Sequence, residues 1–264
     1  MRTYRLILAL VLLVLVSAGA YTAFMYVYTE QKFILPQLLT EPSDFALAAP
    51  AKQILFLHQV NTPRRAQKKE NKYSGFELDL IAVTEANGER LYVAHDEKQL
   101  KNRVKLANIF SALRAPAEKY WWLDIKTDLT QADIDYILNT AKAFHIPQDH
   151  LYLEANPGPT ARLIKKNNLN LLLQLIDGFE EDGQNASQRA VINEAALKEW
   201  QDYKPAAVSA SFGKYTYLKA YFPNMPKAIY YSATVRPSLK KTFLKRRMSE
   251  DTSVQIFMVD EYTF

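Results

Sequence analysis

The sequence contains no cysteine and little glycine: of its 264 residues none is Cys and only 7 are Gly. The missing thiols exclude a disulfide framework, a cysteine nucleophile and a zinc site built on thiolates. No Gly-rich phosphate loop of the dinucleotide or P-loop kind is present either. Apolar residues make up 48% and charged residues 23% of the chain, which is an ordinary globular composition that allows a sizeable core.

The charge balance is mild, with a formal net charge of +5. We expect this small excess of basic residues to lie on a solvated surface. Five basic residues that follow the first strand segment, near the predicted mouth of the site, are expected to lie in a solvated loop: Arg64, Arg65, Lys68, Lys69 and Lys72. Because no basic patch is interleaved with aromatic residues in a known module, nucleic acid is not an expected partner.

The first segment has the pattern of a membrane anchor. Arg2 and Arg5 precede an uncharged run from Leu6 to Thr29. The length of this run predicts a transmembrane helix within residues 1–30. The positive charge before it predicts a cytoplasmic N-terminus and an exported, membrane-anchored body. A signal peptide cleaved near Ala20 is the alternative, and it would give a secreted protein. The apolar character continues beyond Ala20, which favours the single-pass anchor.

Residues 31–51 contain three prolines and no clean period, so they are predicted to be a linker to a domain at 52–264. In that domain short apolar segments alternate with helix-like ones, which is typical of parallel βα units. About eight units in such a length predict a (β/α)8 TIM barrel. A doubly wound open sheet is the main alternative. The predicted strands are Gln53–Leu57, Gly75–Leu80, Leu91–Ala94, Tyr120–Ile125, Leu151–Leu153, Leu169–Leu175, Ala206–Ala210, Lys227–Tyr231 and Val254–Val259.

Several of the first strands end in polar residues that buried strands normally exclude. Buried carboxylates and imidazoles are costly unless they are paired or hold a metal. In a barrel the carboxyl ends of all strands meet at one mouth, which is where active sites lie. The residues concerned are His58, Glu77, Asp79, His95, Asp124 and Lys126.

The acidic members of this set predict a metal site. Glu77 and Asp79 are two residues apart, so their side chains share one face of a strand. Asp124 ends another strand and would supply a third carboxylate. An all-oxygen set of this kind suits Mg²⁺ or Ca²⁺.

The basic members predict acid–base chemistry on a phosphate. His58 and His95 are candidates for a general acid and base, and Lys126 for stabilising charge that develops on a phosphoryl group. Asn61, Glu154 and Gln174 are candidate substrate-binding residues. A cation, a base and an acid together are what cleavage of a phosphodiester needs.

At these residues the chain resembles the glycerophosphodiester phosphodiesterases of the phospholipase C-like superfamily. The resemblance rests on His58, Glu77-x-Asp79 after Gly75-Phe76, Ala94-His95-Asp96 and Leu123-Asp124-Ile125-Lys126. It implies a TIM barrel with two catalytic histidines, His58 and His95. It also implies a divalent metal held by Glu77, Asp79 and Asp124, and a glycerophosphodiester or phospholipid-type substrate.

The chain departs from that family after the first histidine. Gln59 stands where the family has an arginine that contacts phosphate, and the run from His58 to Thr62 is closer to the opening of the menorin-type branch. Two alternatives to the hydrolase therefore stay open. One is a catalytically inactive barrel that binds a ligand or has a structural role at the membrane. The other is a lyase on the same barrel that releases a cyclic phosphate.

Overall fold

The computed structural model describes residues 2–31, 53–83, 91–174, 186–231 and 239–261. The first element is helix α1, Arg2–Gln31. Among the described residues no helix has both the length and the apolar character that crossing a membrane requires, so the predicted transmembrane helix is not confirmed. Apart from Gln31, the predicted linker lies outside the described residues.

The remaining chain alternates strands with helices. Between β1 and β4 the order is β1 (Ile54–Leu57), α2 (Pro63–Lys69), β2 (Gly75–Ala82), β3 (Leu91–Val93), α3 (Leu106–Phe110) and β4 (Tyr120–Ile125). It continues with α4 (Gln131–Ala143), β5 (Leu151–Ala155), α5 (Pro159–Lys166), β6 (Asn170–Gln174), α6 (Ala186–Tyr203) and β7 (Ala207–Ser211). The last elements are α7 (Phe212–Tyr221), β8 (Lys227–Tyr231), α8 (Leu239–Glu250) and β9 (Val254–Val259).

Eight of the strands form a closed parallel barrel. The order around it is β1, β9, β8, β7, β6, β5, β4 and β2, and pairing of β1 with β2 closes the ring. The (β/α)8 prediction is therefore confirmed, and the open sheet is wrong. The strand β3 lies outside the ring and pairs antiparallel with the upper end of β2, with Leu80 opposite Val93.

Alternation along the strands separates two layers of core. Inside the barrel pack Phe56, Trp122, Leu172, Ala207, Ala228, Ile256 and Met258. A larger cluster between the strands and the surrounding helices contains residues of the opposite parity, among them Leu57, Leu123, Leu153, Leu173 and Val259. Because side chains of a strand point to the same face at every second residue, the residues two positions after the inner apolar layer face the barrel mouth.

Two local features differ from the sequence predictions. The segment Leu91–Ala94 is not a barrel strand, because β3 runs antiparallel to β2. The basic residues after β1 lie mainly in helix α2 rather than in a loop. That helix begins after Thr62, whose side chain accepts a hydrogen bond from the Arg65 backbone N–H, and it has proline at its first position.

Candidate metal and acid–base site

Three carboxylates meet at the mouth of the barrel. Glu77 and Asp79 lie on β2, Asp124 lies on β4, and strand register places Asp79 opposite Asp124. One oxygen from each residue lies within 4.8 Å of the other two. Glu77 and Asp79 are each only 1% exposed. The structure therefore brings the three predicted metal ligands together.

Glu77 has an oxygen that the protein leaves without a partner. Its Oε2 accepts a hydrogen bond of 2.5 Å from the Gln59 backbone N–H. Gln59 adopts the left-handed conformation, with φ of 53°, which is uncommon for a residue with a side chain. Oε1 is buried and has no hydrogen-bond partner among the described residues.

Burial raises the pKa of the Glu77 carboxyl well above its ordinary value, and the neighbouring charges of Asp79 and Asp124 add to the rise. An orphaned buried oxygen in a cluster of like charges is a costly arrangement that a bound cation would relieve. Three hard oxygen donors suit a divalent cation such as Mg²⁺ or Ca²⁺. The residues present therefore fit the predicted metal.

The ammonium group of Lys126 lies in the same cluster. Its Nζ lies 2.9 Å from Asp79 Oδ1 and also bonds Asp124 Oδ2. Although burial lowers the pKa of Lys126, the charges and hydrogen bonds of Asp124 and Asp79 outweigh it and the pKa is raised. Burial raises the pKa of Asp124, while Lys126 opposes the rise. Lys126 is thus a permanent cation that neutralises part of the acidic cluster.

Asn61 fixes the orientation of Asp79. Its Nδ2 donates to Asp79 Oδ2 at 2.6 Å, and its Oδ1 accepts from the Asp79 backbone N–H at 3.0 Å. Both ends of the amide are therefore used within the protein. In this arrangement Asn61 positions a carboxylate of the acidic cluster.

His58 is held by a carboxylate from the other end of the chain. Its Nδ1 lies 2.7 Å from Oδ1 of Asp260, which directly follows β9. A carboxylate accepts hydrogen bonds, so Nδ1 carries a proton and Nε2 is left as the acceptor in the neutral ring. Nε2 faces the acidic cluster, 3.9 Å from Glu77 Oε2. Burial lowers the pKa of His58, although the bond to Asp260 opposes this.

Tyr230 supports the same pair from β8. Its ring lies against the His58 ring, with centroids 4.2 Å apart. Its hydroxyl lies 3.3 Å from Asp260 Oδ1. The imidazole is therefore fixed both in its plane and by its hydrogen bond.

His95 reaches the site from outside the barrel. It follows β3, is exposed, and its backbone N–H donates to Gln99 Oε1 at 3.2 Å. The backbone N–H of the preceding Ala94 donates to the Asp79 carbonyl at 3.0 Å. The charge of His95 makes a small contribution that lowers the pKa of Asp124, against the larger effect of burial. The expectation that His95 ends a barrel strand is wrong, but the antiparallel direction of β3 still returns it toward the mouth.

Glu154 and Gln174 lie on neighbouring strands in different surroundings. Glu154 is buried, accepts a 2.8 Å bond from Trp122 Nε1, and lies 2.5 Å from Ser209 Oγ. Burial, followed by the charge of Asp124, raises the pKa of Glu154 to about 8. Gln174 is exposed at the end of β6, opposite Ser209.

Sequence reasoning missed Asp260, Tyr230 and Ser209. A signal for Asp260 was present, because it comes two residues after the inward-facing apolar Met258. His58 and Asp124 stand in the same relation to Phe56 and Trp122. Tyr230 and Ser209 also occupy inward positions, but tyrosine and serine in a strand are common enough to give no signal by themselves.

Comparison with known proteins adds no assignment. No family model matches the chain, and no curated protein matches it. A glycerophosphodiester phosphodiesterase structure from Parabacteroides distasonis is similar, with a TM-score of 0.49 and 11% identity over 79% of this chain and 94% of that one. A phosphoribosylanthranilate isomerase from Pyrococcus furiosus is similar with a TM-score of 0.49 and 7% identity, over 79% of this chain and 88% of that one. An orotidine 5'-monophosphate decarboxylase from Sulfolobus solfataricus is similar with a TM-score of 0.45 and 11% identity, over 81% of this chain and 90% of that one. Since these barrels catalyse different reactions, none of the similarities assigns an activity.

Proposed function

We propose that this protein is a metal-dependent phosphodiesterase that hydrolyses a glycerophosphodiester or phospholipid-type phosphodiester. One observation supports this most directly: the orphaned oxygen of Glu77, in a cluster of three carboxylates, lies beside an imidazole whose free nitrogen faces that cluster. A metal site alone would need no oriented base. An acid–base pair alone would not need three carboxylates in a buried mouth.

The cation would bind Glu77, Asp79 and Asp124 and would polarise the phosphodiester. His58 Nε2 accepts a proton from the attacking water as the new phosphorus–oxygen bond forms. As the bond to the leaving alcohol breaks, His95 on the exposed side donates a proton to that oxygen. Lys126 adds a fixed positive charge next to the reacting phosphoryl group.

A second candidate is an inactive barrel that binds a ligand or has a structural role. The observation that favours it is the contact of Lys126 with Asp79 and Asp124, because an internal ammonium group already neutralises part of the cluster. A site with its own cation can persist without metal. The inactive barrel does not, however, account for the orphaned oxygen of Glu77 or for the hydrogen bond that orients His58.

The test combines metal binding with turnover on the full chain. Thermal unfolding of the parent and of Glu77→Gln is followed with and without Mg²⁺ or Ca²⁺. Hydrolysis of bis(p-nitrophenyl) phosphate and of glycerophosphocholine is measured with metal or chelator. A ligand that binds only the folded state stabilises it by about 2.7 kcal/mol at 100 times its dissociation constant.

We expect metal to stabilise the parent but not Glu77→Gln, and turnover to be lost both with chelator and in Glu77→Gln. Chromatography of the products separates a phosphomonoester from the cyclic phosphate of a lyase. If the parent neither binds metal nor cleaves any phosphodiester, the hydrolase proposal is wrong and the inactive barrel replaces it.

A further inference from the structure

Arg65 lies on α2 at the edge of the barrel mouth, on the same side as His58. Lys69, one helical turn later, forms an ion pair of 2.5 Å with Glu261, and Glu261 directly follows Asp260, the partner of His58. Residues four apart on a helix share a face, so Arg65 is on the face of α2 that meets the end of β9. Its charge contributes to lowering the pKa of both His58 and Glu261.

One donor of the Arg65 guanidinium is unsatisfied. Its Nε is buried and has no hydrogen-bond partner among the residues that the structure describes. A buried donor without a partner costs about 1–3 kcal/mol, so proteins rarely keep one without a reason. The planar fork of a guanidinium matches the paired oxygens of a phosphate. A change of rotamer that exposes Nε would let Nε and a neighbouring nitrogen bind such a pair together.

Two other cations next to the site already have anionic partners. Lys126 contacts Asp79 and Asp124, and Lys69 contacts Glu261. Gln59, directly after His58, carries no charge; its side chain is exposed and its backbone N–H bonds Glu77. An anionic substrate that approaches His58 would therefore find a favourable charge on that side at Arg65.

We propose that Arg65 binds the anionic phosphoryl oxygens of the substrate on the His58 side of the mouth. The inference rests on the proposed function, since it takes the substrate to be a phosphodiester monoanion. It assigns recognition of the phosphate to the helix after β1. Arg65 is thereby a substrate-binding residue and takes no part in proton transfer.

The experiment measures binding separately from turnover. Dimethyl phosphate is a phosphodiester monoanion that resists hydrolysis, and uncharged trimethyl phosphate is its control. Binding of each to the full chain is measured by calorimetry at constant ionic strength with Mg²⁺ present. The variants are Arg65→Gln, Arg65→Lys and Arg64→Gln, which removes the exposed neighbour on the same helix. Circular dichroism verifies that each variant is folded.

We expect dimethyl phosphate to bind the parent and Arg64→Gln alike, and Arg65→Gln about tenfold or more weakly. Arg65→Lys should be intermediate, because a lysine keeps the charge and loses the fork. Trimethyl phosphate should bind none of them. Equal affinity of Arg65→Gln and the parent overturns the inference. So does an equal loss in Arg64→Gln, which would indicate general electrostatic attraction, and so does failure of the parent to bind.

The two proposals fail in different ways. If dimethyl phosphate binding depends on Arg65 but the parent cleaves no diester, the anion site stands and the hydrolase does not. If the parent hydrolyses bis(p-nitrophenyl) phosphate and Arg65→Gln has an unchanged KM, the hydrolase stands and Arg65 has no part in substrate binding.

Discussion

Lys126 Nζ lies 2.9 Å from Asp79 Oδ1 and also bonds Asp124, so one ammonium group is shared by two of the three carboxylates that the proposed metal needs. The ammonium and a divalent cation are both attracted by the same negative charge. We therefore expect Lys126 to lower the affinity of the cluster for metal, while it would supply positive charge to the proposed reaction.

Replacing Lys126 with Met should separate these two effects. We expect Lys126→Met to be stabilised by lower concentrations of Mg²⁺ than the parent, because the cluster loses its internal cation. Without metal it should be less stable, because three carboxylates then repel one another without compensation. Turnover should fall. Thermal unfolding over a range of Mg²⁺ concentrations measures both the metal affinity and the stability without metal. Weaker metal binding by the variant would show that Lys126 supports metal binding instead.

Replacing Asp260 with Asn should impair the base without removing it. We expect kcat to fall by about tenfold or more, since the imidazole loses the carboxylate that selects its tautomer. The bond to Asp260 raises the pKa of His58, so its loss lowers that pKa further. His58 then stays neutral to lower pH, and the acid limb of the kcat/KM profile should move to lower pH.

The matched control for Asp260 is the adjacent carboxylate. Glu261→Gln removes the partner of Lys69 and leaves the bond between His58 and Asp260 in place. Its kcat and the position of its acid limb should stay close to those of the parent. An unchanged pH profile in Asp260→Asn would mean that Asp260 has only a packing role.

Glu154 should make the stability of the fold depend on pH. Its pKa is raised from 4.5 to about 8, so the folded state holds a proton that the unfolded state releases. The stability that the neutral acid contributes to the fold is fully present below pH 4.5 and is lost as pH rises through about 8. For one proton the slope is at most about 1.4 kcal/mol per pH unit.

Glu154→Gln is a close mimic of the neutral acid, because its amide can accept from Trp122 and donate to Ser209. The stability difference between Glu154→Gln and the parent should therefore grow in favour of the variant from weakly acidic to weakly alkaline pH. Urea unfolding at several pH values measures it. A constant difference would show that Glu154 is ionised in the folded protein throughout.

Gly75 begins β2 just below the acidic cluster, and its lack of a side chain is required by packing. A Cβ at this position would lie 2.6 Å from Cε1 of Phe56, inside the barrel core. Gly75→Ala should therefore destabilise the fold by about 1–3 kcal/mol. Gly213→Ala is the control: its new Cβ would come no closer than 3.9 Å, to Ser211 Oγ, and alanine is the better helix former. Urea unfolding should separate the two variants, and equal midpoints would contradict the packing argument.

Much of the barrel and of the acidic cluster was predictable from the sequence, because barrel strands are buried on both faces. Strands such as Tyr120–Ile125 and Val254–Val259 are therefore continuous apolar runs, and their observed bounds agree with those predicted. The spacing of Glu77 and Asp79 fixes their common face. Asp124 then joins them through strand register, which needs only the parallel order of the sheet.

The direction of β3 and the existence of α2 were not predictable in the same way. Apolar character does not distinguish a parallel from an antiparallel strand, and β3 has only three residues. In α2 the only buried residue is Ala66, so almost no apolar period marks it as a helix. The partner of His58 lies 202 residues away in the chain, where local patterns carry no information. The exported, membrane-anchored location remains a prediction from the sequence.

The pairing of His58 with Asp260 also has a consequence for how the protein is made. His58 follows the first strand of the barrel and Asp260 follows the last, so the nascent chain carries the proposed base long before the carboxylate that orients it. The pair forms only when β9 has been synthesised and has closed the ring against β1. A chain that ends early, or is cut before β9, lacks both the closing strand and the partner of His58. The contact that orients His58 therefore requires a complete polypeptide.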